Sequence, residues 1–258
     1  MSNVDFSTVT EVTGYKVTSE QLQRMYTRYR FAAEYCEGKD VLEIACGTGQ
    51  GLGYLAKTAR RVVGGDFDET IVSKARDHYQ DRIAVTRMDA QNLPFTDASF
   101  DAVLCFEAIY YFDDPARFIS EARRVLRKDG ILLICTANKD WSGFNPSPFS
   151  HTYFSAPELH ALLVRQGFRT ELFADCPVGG DSLPARVISL IKQSAVKLHL
   201  MPKTMKGKEL LKRLFMGKLR QLPPEVDDGM GPYLRPTPIT HELPVAQFKV
   251  LFAVGHAN

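Results

Sequence analysis

Apolar residues along the chain form short runs that alternate with segments where they recur every three or four positions. Val41, Leu42, Ile44 and Ala45 make one run bounded by turn residues, as expected for a strand buried on both faces. Arg61 to Gly65, Arg82 to Arg87, Ser99 to Phe106, Ile131 to Thr136 and Phe168 to Phe173 read as further strands. Gln247 to Val254 alternates, then turns apolar. Between them lie helical patterns. The first carries Leu22, Met25, Tyr29, Ala32 and Ala33 behind a cap at Thr18 or Ser19 and ends near Gly38. Glu69 to Tyr79 forms a second. Asp114 and Pro115 open a third, which carries Phe118, Ile119, Ala122, Val125 and Leu126 and stops at Gly130. A capping box at Ser155 and Glu158 opens a fourth, running to Gly167. Strand and helix in alternation predict an α/β fold with a largely parallel sheet.

The first strong strand runs straight into Gly47, Gly49, Gly51 and Gly53, with a helix predicted over Leu52 to Thr58. A strand, a glycine turn and a helix start let backbone approach a nucleoside ligand closely. The dinucleotide fingerprint Gly-x-Gly-x-x-Gly/Ala fails from Gly47, because its last position is Leu52. Gly51-x-Gly53-x-x-Ala56 matches, but inside the helix. Glu43 lies within the strand, where an acid costs free energy unless it has partners.

Glu43-x-Ala45-x-Gly47-x-Gly49 resembles motif I of the class I S-adenosylmethionine (SAM) dependent methyltransferases, with Ala45 where the usual form has glycine. The segments LPFTDASFDAVLC, DDP and RRVLRKDGILLI are similar to a large bacterial group of these enzymes, the type 11-like methyltransferases, which includes ubiquinone-type and small-molecule members. The resemblance spans roughly residues 26 to 175. It implies a Rossmann-like, mostly parallel sheet of seven strands with helices on both faces and an antiparallel last strand. It also implies SAM as cofactor, gripped by Glu43, Ala45, Gly47, Thr48 and Gly49. Asp66, followed by Phe67, lies about 20 residues past the turn, where a carboxylate accepts both ribose hydroxyls; Asp68 competes with it, or caps the next helix. Asp89 and Ala90 match the adenine-recognition position, although an Asp after a strand is often only a turn residue. Phe106, which ends the fourth strand, is counted with the cofactor-binding residues. A helix over 15–38 would lid the cofactor through Tyr29 and Arg30, or present a solvated arginine face over an aromatic core.

The tip of the fourth strand, Glu107 to Phe112, belongs beside the transferred methyl, since α/β sheets bind ligands at strand carboxyl ends. With the irregular stretch after Ala137, it offers Glu107, Tyr110, Tyr111, His151 and Tyr153 as catalytic candidates. His151 is the base by chemistry, or a surface residue. Amino-methylating DNA enzymes carry an Asp/Asn-Pro-Pro-aromatic motif where Cys105-Phe106-Glu107-Ala108 stands, which argues against nucleobase amines and nucleic-acid partners.

Charge changes the picture in one place. The net charge of +2 is unremarkable, but Arg186 to Arg220 holds ten Lys and Arg against one acid, Glu209. This lies in an insertion over 176–245, helical then proline-rich, within one domain spanning 1–258. Leu183, Val187, Leu190 and Ile191, then Leu210, Leu211, Leu214 and Phe215, give two amphipathic patterns. They suit an anionic membrane surface, a polyanionic substrate, or packing on the domain. The five cysteines show no C-x-x-C pair and read as buried reduced thiols. No metal-ligand spacing is visible. Met1 to Thr13 lacks the features of a signal peptide, so a cytoplasmic protein is expected, peripheral to the inner membrane face if the basic segment docks on lipid.

Three functions follow. The first is methylation of a hydroxyl on a small molecule or glycan; RYRFAAEYCEGKDVLEIACGTGQG and the basic insertion look like methyltransferases of bacterial surface-polysaccharide biosynthesis. The second is a NAD-dependent oxidoreductase. The third is a non-catalytic SAM-binding or membrane-docking subunit.

Overall fold

The computed structural model describes residues 10–178 and 219–257. A short strand β1 (Lys16–Val17) precedes helix α1 (Ser19–Cys36). The Thr18 hydroxyl accepts from Gln21 N and the Gln21 side chain returns to Thr18 N, a complete capping box. Strand β2 (Asp40–Ile44) feeds the glycine turn and the one-turn helix α2 (Leu52–Leu55). Then come β3 (Arg61–Asp66), α3 (Glu69–Tyr79), β4 (Ala84–Arg87) and β5 (Phe100–Phe106), followed by a 3₁₀ turn (Ile109–Tyr111). The chain continues through α4 (Pro115–Val125), β6 (Leu126–Ala137), α5 (Ala156–Arg165) and β7 (Phe168–Pro177). After the undescribed stretch stand β8 (Arg220–Gln221), β9 (Thr237–Ile239) and β10 (Phe248–Ala257).

The main sheet runs in the order β4-β3-β2-β5-β6-β10-β7-β9. β4, β3, β2, β5 and β6 pair in parallel, and β10 is antiparallel to both β6 and β7. The order reverses between β2 and β5, because the chain leaves β2 for β3 on one side and returns to β5 on the other. That places a crevice at the carboxyl ends of these two strands.

Period-two alternation divides the sheet residues between two cores. Leu42, Ile44, Val103, Cys105, Leu132 and Ile134 face the apolar sides of α4 and α5. Val41, Ala102, Leu104, Ile131 and Leu133 face α1 and α2. Phe31 on α1 meets Phe173 and Phe252 edge-on at 5.1 and 5.3 Å, which fixes the helix on the sheet. Cys36, Cys46, Cys105 and Cys135 are buried free thiols, and Cys176 is half-buried.

The architecture is the expected α/β class, with three corrections in detail. Among the described residues the main sheet has eight strands, because Thr237–Ile239 adds an edge strand to β7 within the proline-rich stretch, where no strand was expected. Proline is tolerated on an edge, where the ladder needs no inward N–H. The helix expected to reach Gly130 stops at Val125. Leu126 is already extended and pairs with Phe100, and the register shifts before Ile131 meets Ala102. The last strand, expected to end at Val254, runs over Phe248–Ala257. The amphipathic patterns from Leu183 to Phe215 lie outside the described residues. None of the described helices is long and apolar enough to cross a membrane.

Candidate active site

The turn after β2 is built on left-handed backbone. Ala45, Gly47 and Gly49 have φ of 55°, 60° and 83°, which swings the chain from strand end to α2. Two of the glycines are required by aromatic neighbours. A Cβ on Gly49 would lie 2.7 Å from the ring of Tyr79, whose hydroxyl donates to Gly49 O at 2.6 Å and accepts from Gly53 N at 3.0 Å. A Cβ on Gly51 would lie 1.8 Å from the ring of Tyr29.

Tyr29 reaches from α1 over Gly51 and donates to Glu43 Oε1 at 2.6 Å, with Phe106 edge-on to its ring at 5.4 Å. Glu43 is 1% exposed, and its Oε2 has no hydrogen-bond partner among the described residues. Burial raises its pKa to about 7, although the Tyr29 hydrogen bond and the charge of Arg28 oppose the rise. The Tyr29 phenol is pushed well above its ordinary value, chiefly by burial and then by the Glu43 charge. Arg28, one residue before Tyr29, gives Nη2 to Glu11 Oε2 at 3.2 Å, while its buried Nε has no partner among the described residues.

Next along the crevice stands Asp66, at the end of β3. Its two oxygens accept from Gly47 N at 3.0 Å and Asp68 N at 3.2 Å, and burial raises its pKa. Asp68 caps α3 by accepting from Thr70 N and Ile71 N, which leaves Asp66 as the acid facing the turn. Phe67 is 49% exposed, with the guanidinium of Arg87 5.7 Å from its ring centroid. Asp89 accepts from Gln91 N at 2.8 Å in a tight turn, and Ala90 beside it is buried.

On the far side of the switch, β5 ends in Phe106 and Glu107. Glu107 has φ of 52° and donates its N–H to Cys135 O. Its carboxylate receives Arg24 Nη2 and the Tyr110 hydroxyl, both at 3.1 Å. Tyr110 stacks on Tyr153 at 4.4 Å between centroids. Tyr111 and Tyr153 spend their hydroxyls on the loop: Tyr111 bonds Ser147 Oγ at 2.6 Å, and Tyr153 accepts from Ser147 N at 2.9 Å. The His151 N–H donates to Tyr110 O at 2.7 Å, and its exposed imidazole faces Asp113 at 3.3 Å.

The stretch before α1 crosses the glycine turn. Thr13 bonds the buried Thr48 hydroxyl through its N–H at 3.2 Å and its own hydroxyl at 3.1 Å, and Gln50 Nε2 donates to Glu11 O at 2.7 Å.

Sequence reasoning and geometry differ on Arg30. Its guanidinium sits over the ring of Tyr233 at 5.3 Å, on the side of α1 where Glu34 accepts from the Tyr233 hydroxyl. Helical spacing explains this: Arg24 and Arg28, four residues apart, share the face toward Glu107 and Glu11, and Arg30 is turned away. That spacing was the available signal for both. Glu11 and Thr13 gave none, since only the fold carries them to the turn.

Residues 42–134 match the family described as methyltransferase domain. Among curated relatives, the chain is 40% identical over 149 residues to a probable S-adenosylmethionine-dependent methyltransferase of Mycolicibacterium smegmatis, covering 55% of this chain and 57% of that one. It is 37% identical over 123 residues to a phthiotriol/phenolphthiotriol dimycocerosates methyltransferase of Mycobacterium ulcerans, covering 46% and 45%. The chain thus spans about half the length of the curated relatives it matches. Two solved structures share the fold. They are a possible histamine N-methyltransferase from Thermotoga maritima (TM-score 0.59, 19% identity, 92% of each chain) and the YcgJ protein of Bacillus subtilis (TM-score 0.59, 17% identity, 91% and 99%).

Proposed function

We propose that this chain, whose residues 42–134 match a methyltransferase domain, takes SAM as its cofactor and methylates a hydroxyl of a small molecule or sugar. Buried Glu43 Oε2 supports the cofactor part of this reading most directly. A carboxylate oxygen without a partner in a core is costly, and a ligand ammonium supplies what it lacks. Asp66 receives the ribose hydroxyls beside the turn. Phe67 and Ala90 flank the adenine, and Asp89 accepts from its amino group. Glu107, at the end of β5, would stand on the side of the crevice where the acceptor meets the bound cofactor.

SAM supplies an activated methyl, and the chain's own residues align and deprotonate the acceptor. Alignment is worth roughly 7–11 kcal/mol of barrier. A base adds about 10²–10⁴ in rate for an alcohol. Glu107 takes that role in place of His151, whose exposed imidazole faces Asp113, because the Glu107 carboxylate stands at the end of β5, held by Arg24 and Tyr110. The charged Arg24–Glu107 pair favours a hydroxyl-bearing acceptor over a wholly apolar one. Calorimetry with SAM, S-adenosylhomocysteine and NAD tests the cofactor, and binding of NAD alone would refute it. Label from isotopic SAM appearing in a hydroxyl-bearing metabolite of a cell extract tests the reaction. Label found only on amines or carbon would refute the O-methylation reading.

A further inference from the structure

Both oxygens of the Glu107 carboxylate are already engaged. Oε1 accepts from Arg24 Nη2 and Oε2 from the Tyr110 hydroxyl, each at 3.1 Å. An acceptor hydroxyl must share an oxygen with one of these donors or displace it. Tyr110 is fixed: it is 7% exposed, its ring stacks on Tyr153, and its carbonyl accepts from His151 N at 2.7 Å. Glu107 is fixed too, through its left-handed backbone and the bond of its N–H to Cys135 O. Arg24 is the movable partner, a long side chain on α1 that remains 30% exposed.

Arg24 also has donors left over. A guanidinium carries five N–H donors in a planar fork. Arg124 shows full use of them, spending all three nitrogens on Glu121, Asp97 and the carbonyls of Leu93 and Phe95. Arg24 spends only Nη2, and its Nε and Nη1 bond nothing among the described residues. The next cation along this face, Lys249, is held by Glu20 at 2.6 Å, one helical turn from Arg24, and by the Trp141 ring. An arginine with a free edge beside a reacting carboxylate suits an oxyanion, which it grips through two parallel bonds.

We propose that Arg24 selects an acceptor that carries an anionic group, a carboxylate or a phosphate, close to the hydroxyl that is methylated. The inference rests on the methyltransferase reading with Glu107 as base, and names the chemical class of the acceptor. The anion takes one edge of the Arg24 fork and draws it off Glu107. Oε1 is then the oxygen that receives the hydroxyl proton. A neutral acceptor leaves Arg24 where it is, and so meets a base whose two oxygens are both still engaged.

The test starts from isotopic SAM and the full chain in an extract of the source cells, with the products passed over an anion exchanger at neutral pH. Label is expected in retained products. Retention lost after phosphatase identifies a phosphate, and retention that persists identifies a carboxylate. The purified acceptor is then compared with its neutral form, the phosphatase product or the carboxylate methyl ester. Wild type is expected to favour the charged form by about tenfold or more in kcat/KM. Arg24→Gln is expected to lose that preference by slowing the charged form, with SAM affinity by calorimetry unchanged, and Arg24→Lys to recover part of it. Should Arg24→Gln not fold, the wild-type preference and Arg24→Lys decide alone. Label confined to unretained products, equal rates for the two forms in wild type, or an Arg24→Gln variant that slows both forms alike would each overturn the role of Arg24 and leave the methyltransferase reading standing. No label in any product would overturn that reading itself, and this inference with it.

Discussion

The Tyr29 hydroxyl bonds Glu43 Oε1 at 2.6 Å while Oε2 stands alone in the core, and burial outweighs that bond to hold this carboxyl at a pKa of about 7 against an ordinary 4.5. A raised carboxyl pKa means the fold prefers the protonated acid. Its contribution to stability is complete below pH 4.5 and is lost as pH rises through 7. Glu43→Gln mimics the neutral acid and keeps an acceptor for Tyr29. It should therefore be more stable than wild type above pH 7, by on the order of 2–3 kcal/mol. The difference should close as pH falls toward 4.5. Urea melts at intervals between pH 4.5 and 8 read this directly, and a pH-independent gap would contradict it.

Cofactor binding should report the same proton. The proposed ammonium partner requires ionised Glu43, so SAM affinity should fall as pH drops below about 7. Binding near pH 6.5 should release a fraction of a proton. Calorimetry in two buffers of different ionisation enthalpy measures that release, which Glu43→Gln should abolish while weakening SAM. A wild-type heat independent of buffer would argue that Glu43 does not change its protonation on binding.

Gly51 matters for the protein's own packing. An alanine methyl there would stand 1.8 Å from the Tyr29 ring, so the ring must leave Glu43. Gly51→Ala should destabilise by more than about 2 kcal/mol, through overpacking and a lost buried hydrogen bond. Gly38→Ala is the control. Its φ is +68° but nothing lies within 4 Å of the added methyl. It should cost only the left-handed penalty, about 1–2 kcal/mol. Comparable melting temperatures for the two variants would remove the Tyr29 argument.

Asp66 ties the turn to the end of β3 through Gly47 N and Asp68 N. Asp66→Ala should weaken SAM by more than tenfold if the proposed ribose bonds are lost. It should also destabilise the cofactor-free protein by about 1–3 kcal/mol, because two amides lose their acceptor. Asp66→Asn keeps one acceptor oxygen and should restore part of the stability before it restores affinity. Unchanged SAM affinity in Asp66→Ala would assign the ribose elsewhere.

How much of this was legible in the sequence depended on distance along the chain. Helix starts at Thr18, Asp68, Asp114 and Ser155 were readable because each cap is a local chemical event within three residues. The central strands were readable because burial on both faces leaves an apolar run. The stop at Val125 was not, since Lys128 and Asp129 follow in helical fashion and only pairing of Leu126 with Phe100 draws the chain into the sheet. Edge strand Thr237–Ile239 exists only as a partner for β7. At the site, Glu43 and Asp66 stood out by type and spacing. Its pairing with Tyr29, and the approach of Glu11 to Arg28, join separate segments that no local pattern connects.

Ala45 is where the resemblance and the backbone disagree, and its conformation makes the disagreement measurable. The usual glycine is replaced by alanine, yet φ is 55°, a conformation that costs an L-residue roughly 1–2 kcal/mol. Ala45→Gly relieves that strain but gives the unfolded chain more freedom, worth about 0.4–1 kcal/mol in the opposite sense. The net should be neutral to slightly stabilising, within about 1 kcal/mol. Ala45→Val should be far worse, losing more than about 2 kcal/mol, because a β-branched side chain is a genuine outlier at positive φ. Ala45 also packs against the core that α4 and α5 cover, so a larger group has little room to turn. Melting of the three proteins orders them as glycine, alanine, valine. A glycine variant losing more than 1 kcal/mol would mean that the Ala45 methyl contributes packing that outweighs its strain.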